Sequence, residues 1–189
     1  MQICTHTYEE YVQIVKSFHG FLAPGVLIGG FMIDLALKQK PESEFFDALS
    51  ETPVCLPDAI QILTPCTVGN GWLTIMGIGR FALALYEKQG GQGIRVYLDT
   101  EKLKAWPEAY HWYLKLKTKK EQNYQRLIEE IKEAGHEMLG IQRVRVEPET
   151  LRRPKFGPVG HCPACGEAYP QAHGDRCKAC QGESPYLEA

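Results

Sequence analysis

The sequence lacks a long hydrophobic run and carries little net charge. Its longest apolar stretch runs over about a dozen residues from Val26 to Leu37 and contains Asp34, whereas a membrane-spanning helix needs about 20. The formal net charge is −2, so no global positive field attracts nucleic acid or an anionic membrane. The first residues carry acids and no apolar signal segment. We therefore expect a cytoplasmic protein with neither membrane nor nucleic acid as a partner.

The seven cysteines are an odd number, which suits a closed disulfide framework poorly. In a reducing compartment, thiols serve more often as metal ligands or reactive groups than as bridges. Of the 189 residues, 44% are apolar and 23% are charged. That balance predicts a globular protein with one sizeable core and a small appendage.

The spacing of apolar residues predicts an α+β fold, in which helices flank an antiparallel sheet. Thr7 and Glu10 predict a capping box at the first helix, and Gly29-Gly30 predicts a close approach of neighbouring backbone to a buried second helix. The predicted helices cover residues 8–18, 24–37, 58–63 and 121–134. The predicted strands cover residues 52–56, 72–78, 80–86, 94–98 and 141–146.

A change in composition near residue 150 predicts a domain boundary, with a core domain at 1–150 and a four-cysteine zinc-binding domain at 151–189. Prolines punctuate this stretch at Pro148, Pro154, Pro158 and Pro163. The second segment has too few apolar residues to build a core of its own. Metal binding would therefore supply much of its folding free energy.

Two Cys-x-x-Cys pairs, Cys162/Cys165 and Cys177/Cys180, carry the strongest chemical signal. Each two-residue turn brings two thiolates to one side of a cation, and two such turns complete a tetrahedral Zn²⁺ site of the ribbon or treble-clef kind. Two disulfides or redox-active pairs are the alternatives, and the compartment and the absence of a strand–helix context disfavour them. His161 and His173 lie close enough in sequence to replace a cysteine.

A second candidate site comprises His19, Cys55 and Cys66. The two cysteines flank a predicted short helix, and about six helical residues rise only about 9 Å, so both thiols could lie along one wall of a cleft. One imidazole and two thiolates leave a fourth position open, as in catalytic zinc sites. The alternative is that both cysteines are small buried hydrophobes and that the histidine is structural.

Asp58 and Thr67 are candidate catalytic residues beside that site. Asp58 could act as a general base or orient a ligand, or it could be an acid that offsets the helix dipole. Thr67 could hydrogen-bond a substrate or cap a turn. Cys4 receives no role.

Four motifs resemble the FmdE family, which takes its name from formylmethanofuran dehydrogenase. They are His19-Gly-Phe-Leu-Ala-Pro-Gly25, Cys55-Leu-Pro-Asp-Ala-Ile-Gln-Ile-Leu-Thr-Pro-Cys66-Thr-Val-Gly-Asn-Gly71, Gly79-Arg80-Phe-Ala82 and Gly93-Ile-Arg-Val96. The resemblance implies an α+β core with an antiparallel sheet, a homodimer, a metal-binding cluster of His and Cys residues in a cleft, and a zinc-finger tail. It also implies association with a molybdenum or tungsten enzyme that handles formyl groups.

The first motif departs from the family pattern, which reads His-Gly-His-x-Cys-Pro-Gly. Phe21 stands where the second His is expected, and Ala23 stands where the Cys is expected. Since Ala can neither bind metal nor act as a nucleophile, chemistry that needs that Cys is lost.

Three functions therefore remain open. The first is a metal-binding accessory protein or divergent enzyme of formyl (one-carbon) or molybdenum/tungsten-enzyme metabolism. The second is a non-catalytic zinc-ribbon module that contacts a protein or nucleic acid through a local basic patch. The third is a purely structural protein. The patch comprises Arg143, Arg145, Arg152, Arg153 and Lys155.

Overall fold

A computed structural model describes residues 1–40, 45–147, 149–150 and 157–187. The chain divides into two compact units, residues 1–151 (the first unit) and 152–189 (the second unit). The helices of the first unit are α1 Tyr8–His19, α2 Pro24–Gln39, α3 Leu56–Leu63, α4 Thr100–Leu103, α5 Pro107–Tyr113 and α6 Tyr124–Ala134. Its strands are β1 Gln2–Ile3, β2 His6–Thr7, β3 Phe46–Ser50, β4 Leu73–Ile75, β5 Ala82–Glu87, β6 Gln92–Leu98 and β7 Leu139–Arg145.

The first helix begins and ends as its sequence predicts. The Glu10 amide donates to Thr7 Oγ1 at 3.2 Å and the Thr7 amide donates to Glu10 Oε2 at 2.8 Å, which confirms the capping box. Gly20 ends α1 in the left-handed region at φ 89°, a conformation that glycine adopts without steric cost. His19 is therefore fixed at the last turn of α1, just before the chain enters α2.

Helix α2 is the centre of the core, buried along most of its length. Its two adjacent glycines allow close approach by side chains, whereas the sequence predicted an approach by backbone. A Cβ atom at Gly29 would lie 2.6 Å from Ala59 Cβ of α3, and one at Gly30 would lie 2.4 Å from a ring carbon of Tyr11 on α1. The Tyr11 hydroxyl then donates to the Val26 carbonyl at 2.8 Å. Helices α1 and α3 are thus held directly against α2.

The α+β class is confirmed, but the predicted antiparallel sheet is mixed. The strand order is β4-β3-β5-β6-β7, and β3 pairs with β4 in parallel while the other pairs are antiparallel. The connection from β3 to β4 runs through α3. A parallel pair requires such a crossover, because a tight hairpin can join only antiparallel strands.

The predicted strand at 52–56 is also wrong, because the strand in this region is β3, Phe46–Ser50. Asp47 and Ser50 interrupt the apolar pattern of β3. Their polar groups find partners in the folded chain: Lys88 Nζ lies 3.4 Å from Asp47 Oδ1, and the Ser50 hydroxyl donates to the Thr52 carbonyl at 2.7 Å. Sequence periodicity does not anticipate these tertiary contacts.

A buried ion pair joins strand β6 to the segment that follows β3. Glu51 is 4% exposed and accepts from both Arg95 Nε at 2.6 Å and Arg95 Nη2 at 2.8 Å. Arg80 Nε lies 2.6 Å from the same carboxylate. The Arg95 hydrogen bonds hold the pKa of Glu51 below its usual range.

The second unit has little apolar material. It contains the antiparallel pair β8 Val159–His161 and β9 Ala168–Pro170, followed by two short 3₁₀ turns at Gln171–His173 and Ala179–Gln181. Its buried cluster consists of Cys162, Tyr169 and Cys177. A cluster of this size cannot offset the conformational entropy of folding, so the cysteines themselves must hold the unit together.

Across the described residues, none of the helices combines the length and apolarity that a membrane crossing demands. Pro148, Arg152, Arg153, Pro154 and Lys155, on which the predicted boundary and basic patch partly depended, lie outside the described residues.

Candidate metal centres and a cleft in the first unit

The four cysteines of the second unit converge on one point. One ligand atom from each of Cys162, Cys165, Cys177 and Cys180 lies within 4.8 Å of all the others. Cys165 Sγ and Cys177 Sγ are 3.8 Å apart, and all four thiols are free. A tetrahedron with Zn–S bonds of about 2.3 Å has edges of about 3.8 Å, whereas a disulfide bond is about 2.05 Å long. The geometry therefore fits a metal ion and does not contain disulfides.

Local hydrogen bonds prepare the first knuckle for a cation. The Gly166 amide donates to the Cys162 carbonyl at 2.8 Å, and Gly166 takes the left-handed φ of 78° that a tight turn requires. The Cys177 amide donates to Cys162 Sγ at 3.5 Å. Backbone hydrogen bonds, of which that from Cys177 is the largest, lower the pKa of the Cys162 thiol to about 6, which favours the thiolate that binds metal.

Four thiolates complete a tetrahedral site and leave no position open for substrate, so a zinc ion bound there is structural. The group consists of the four cysteines, and neither His161 nor His173 belongs to it.

In the first unit, His19 and Asp58 form a close pair. His19 Nδ1 lies 2.5 Å from Asp58 Oδ2, and their side chains are 20% and 31% exposed. Because a carboxylate only accepts hydrogen bonds, Nδ1 carries a proton, and in the neutral imidazole Nε2 keeps its lone pair. This is how a carboxylate orients a histidine that serves as a metal ligand or a base. An acid that served only to offset the helix dipole would not require this contact.

Cys55 and Cys66 lie at opposite ends of α3. Cys55 precedes the helix as its N-cap residue, three residues before Asp58, and Cys66 follows its C-terminal end. The eight residues of α3 rise about 12 Å. Cys66 is fully buried in the core and its thiol donates to the Phe46 carbonyl at 3.6 Å. The described structure thus places His19 and Cys55 near one end of the helix and Cys66 near the other.

Among the described residues, the zinc-finger cysteines are the single group of potential ligands that meet within 4.8 Å. His19, Cys55 and Cys66 do not form such a group as they stand. Their donor chemistry suits a metal of the zinc class. The three-ligand core site stays a prediction.

The two departures from the family motif lie within the short connection between α1 and α2. Ala23 is the N-cap residue of α2 and is 3% exposed. Phe21 is 60% exposed, and its ring centroid lies 4.9 Å from that of His19. An aromatic ring therefore lies beside His19, in place of the second imidazole that the family pattern predicts.

Thr67 makes a turn hydrogen bond. The Asn70 amide donates to Thr67 Oγ1 at 3.0 Å, and the Thr67 amide donates to Asn70 Oδ1 at 3.1 Å. Asn70 Nδ2 also donates to the Pro65 carbonyl at 2.7 Å. The substrate-binding role of Thr67 stays a prediction, and the observed bonds are those of its alternative as a turn cap.

Sequence reasoning missed a cleft of about 470 Å³ in the first unit. Three lysines and three aromatic rings contribute to its lining, together with the Cys55 side chain. The lining residues are Gly25, Val54, Cys55, Phe81, Trp112, Tyr113, Lys115, Lys117, Lys119 and Gln122. The signal was the run Trp112-Tyr-Leu-Lys-Leu-Lys-Thr-Lys119, in which alternate lysines follow two aromatic residues.

Each of the two units matches a known protein-family model. The family model described as "FmdE, Molybdenum formylmethanofuran dehydrogenase operon" matches residues 18–146, and the model described as "FmdE treble clef zinc finger" matches residues 153–187. A tungsten formylmethanofuran dehydrogenase FmdE-like protein from Syntrophus aciditrophicus has a crystal structure that is similar with a TM-score of 0.91 and 52% identity, covering 98% of each chain.

A curated relative from Archaeoglobus fulgidus carries the name probable S-adenosyl-L-methionine-binding protein. It is 29% identical over 170 residues, which cover 80% of this chain and 46% of the relative. The present chain thus spans less than half the length of that relative. The family models together account for the core and for the four-cysteine unit, and the chain belongs to the FmdE family and carries that family's treble-clef zinc finger.

Proposed function

We propose that this protein is a metal-binding accessory protein. It serves formyl (one-carbon) metabolism or a molybdenum or tungsten enzyme. Membership of the FmdE family and the name of the Syntrophus relative support this direction. The observation that carries the metal-binding part in the first unit is the 2.5 Å contact between His19 Nδ1 and Asp58 Oδ2. It leaves Nε2 of His19 as an oriented ligand at the end of α3 where Cys55 lies.

In this proposal, His19 and Cys55 hold the core metal and Asp58 fixes the imidazole. A metal in an open site supplies Lewis-acid chemistry to a bound oxygen. The chain's own contribution is to hold the Nδ1 proton on His19 and to present the thiol of Cys55. Burial raises the pKa of that thiol, and the nearby Asp58 carboxylate adds to the effect. A metal ion must therefore displace the thiol proton in order to bind.

Metal counting tests this site. We expect wild-type protein purified without added metal to hold two equivalents per chain, and His19→Ala and Cys55→Ala to hold one. Cys66→Ala is the matched cysteine control, because Cys66 lies beyond the other end of α3. Loss of the second equivalent in Cys66→Ala would instead support a three-ligand site that includes Cys66. A single equivalent in the wild type would refute a core metal.

The accessory role is tested separately with a purified molybdenum or tungsten enzyme that oxidises a formyl group. We expect the two proteins to elute together at fixed stoichiometry in size-exclusion chromatography and the enzyme's turnover to change when this protein is added. Independent elution and unchanged turnover would refute the role. The homodimer, the cytoplasmic location and the catalytic roles of Asp58 and Thr67 stay predictions.

A further inference from the structure

The cleft in the first unit has the dimensions and walls of a small-molecule site. Its volume of about 470 Å³ lies within the range of about 300–1,000 Å³ that is usual for ligand pockets. Phe81 packs edge-on against Tyr113, and their ring centroids are 6.0 Å apart. The ring centroids of Trp112 and Tyr113 are 6.3 Å apart. These rings offer flat apolar surface, against which another planar ring can stack.

The charge around the cleft has one sign. Lys115, Lys117 and Lys119 contribute to the lining, and the lining contains no carboxylate. Lys117 is paired with Glu108. Lys115 and Lys119 are exposed, and within the described part of the chain neither forms an ion pair. Two ammonium groups therefore remain to attract an anion that enters the cleft.

The backbone is strained at two residues of the cleft lining. Cys55 has φ 64° and Lys115 has φ 55°, and they are two of the three non-glycine residues with positive φ among the described residues. Such conformations cost free energy and persist where the surrounding structure imposes them, which occurs most often at ligand sites. The Cys55 side chain lies in the cleft wall against Gly25, since a Cβ atom at position 25 would lie 2.8 Å from Cys55 Sγ.

We propose that this cleft binds a small organic anion that carries a planar ring, such as an aromatic carboxylate, sulfonate or phosphate ester. The ring lies against Phe81, Trp112 and Tyr113, and the anionic group faces Lys115 and Lys119. The absence of acids from the lining disfavours a cationic ligand. The cleft shares Cys55 with the proposed core metal site, but neither the aromatic wall nor the lysines depend on a metal or on the accessory role.

The test uses two probes of the same ring and opposite charge, 1-naphthalenesulfonate and 1-naphthylmethylammonium. Isothermal titration calorimetry on the full chain measures their dissociation constants. We expect saturable binding of the sulfonate and at least tenfold weaker binding of the ammonium. Equal affinity for the two probes, or no saturable binding of the sulfonate, would overturn the proposal.

Paired substitutions locate the site. We expect Lys115→Gln/Lys119→Gln to weaken sulfonate binding by roughly 2- to 30-fold, because each exposed ion pair contributes little by itself. Trp112→Leu should weaken it by roughly 2- to 10-fold through the lost ring contact. Lys16→Gln/Lys120→Gln is the control, since it removes the same charge from exposed lysines that do not line the cleft.

An equal loss of affinity in the control pair would assign the effect to net charge and overturn the proposed site. Tighter binding of a short oligothymidylate than of the sulfonate, again lost in Lys115→Gln/Lys119→Gln, would assign the cleft to single-stranded nucleic acid and overturn it as well. Circular dichroism confirms that each variant is folded. Metal counts on the same samples show whether the proposed metal site has failed independently.

Discussion

The two units assemble their cysteines in different ways. In the second unit, all four ligands lie between residues 162 and 180, and two short turns bring them to a single point. In the first unit, Cys55 and Cys66 lie closer together in sequence than the two Cys-x-x-Cys pairs do from end to end, yet α3 holds them at opposite ends. A turn brings its flanking residues together, whereas a helix holds them apart. The distance between two cysteines in sequence therefore does not predict whether they bind the same metal ion.

The units also differ in what stabilises them. The first unit has a large buried cluster around α2 and a buried ion pair at Glu51. The second has a cluster of one tyrosine and two cysteines, with Cys180 packed against it. We therefore expect metal removal to act on the second unit, and loss of packing or of buried charge to act on the first.

The largest expected effect is that of Cys177→Ala. Structural zinc contributes about 10–16 kcal/mol to small metal domains, so the second unit should unfold while the first remains folded. Metal content should fall by one equivalent per chain, and limited proteolysis should cut within residues 157–187. Cys4→Ala, which removes a thiol of the first unit with no assigned role, should change neither. An unchanged metal content in Cys177→Ala would show that the four-cysteine site does not hold the ion.

Next in size is Glu51→Gln, which leaves Arg95 without its charged partner at a largely buried site. We expect the free energy of unfolding at pH 7 to fall by about 3–5 kcal/mol, measured by urea denaturation. Glu101→Gln is the matched control, because Glu101 forms an exposed pair with Lys104 and its loss should leave the stability nearly unchanged. Equal stability of Glu51→Gln and wild type would contradict this.

The same pair predicts a pH dependence. The pKa of Glu51 is lowered in the folded state by Arg95, so its stabilisation is fully present above the unfolded pKa of about 4.3. It is lost as the pH falls through the lower folded pKa. Wild type should therefore lose more stability than Glu51→Gln between pH 6 and pH 3. Parallel losses in the two proteins would show that other carboxylates dominate.

The smallest effect concerns the contact between α2 and α3. Gly29→Ala places a methyl group 2.6 Å from Ala59 Cβ, and we expect a loss of about 1–3 kcal/mol in the free energy of unfolding. Gly77→Ala makes the same change where a Cβ atom meets nothing within 4 Å and should be nearly neutral. The midpoint of urea denaturation distinguishes them. A stabilised Gly29→Ala would mean that helix propensity outweighs the crowding.

Much of the fold could be predicted wherever the signal is local. The capping box at Thr7 and Glu10, the buried helix from Pro24 and the strands after residue 80 follow from periodicity and capping chemistry. Strand β3 was not predicted, because its buried residues Asp47 and Ser50 interrupt the apolar pattern that indicates a strand. Their compensation comes from Lys88 and Thr52, contacts that exist only after folding.

The candidate sites follow the same rule. The sequence by itself determined the four-cysteine cluster, since each Cys-x-x-Cys turn brings its own two thiols together and two such turns supply the four ligands of a tetrahedral site. Only the tertiary structure placed Asp58 against His19, separated Cys55 from Cys66, and joined Phe81 to the lysines that follow Trp112 around one cleft. The reason is physical: short turns fix geometry over a few bonds, whereas the relative placement of α1, α3 and the sheet depends on packing around α2, which no local pattern encodes.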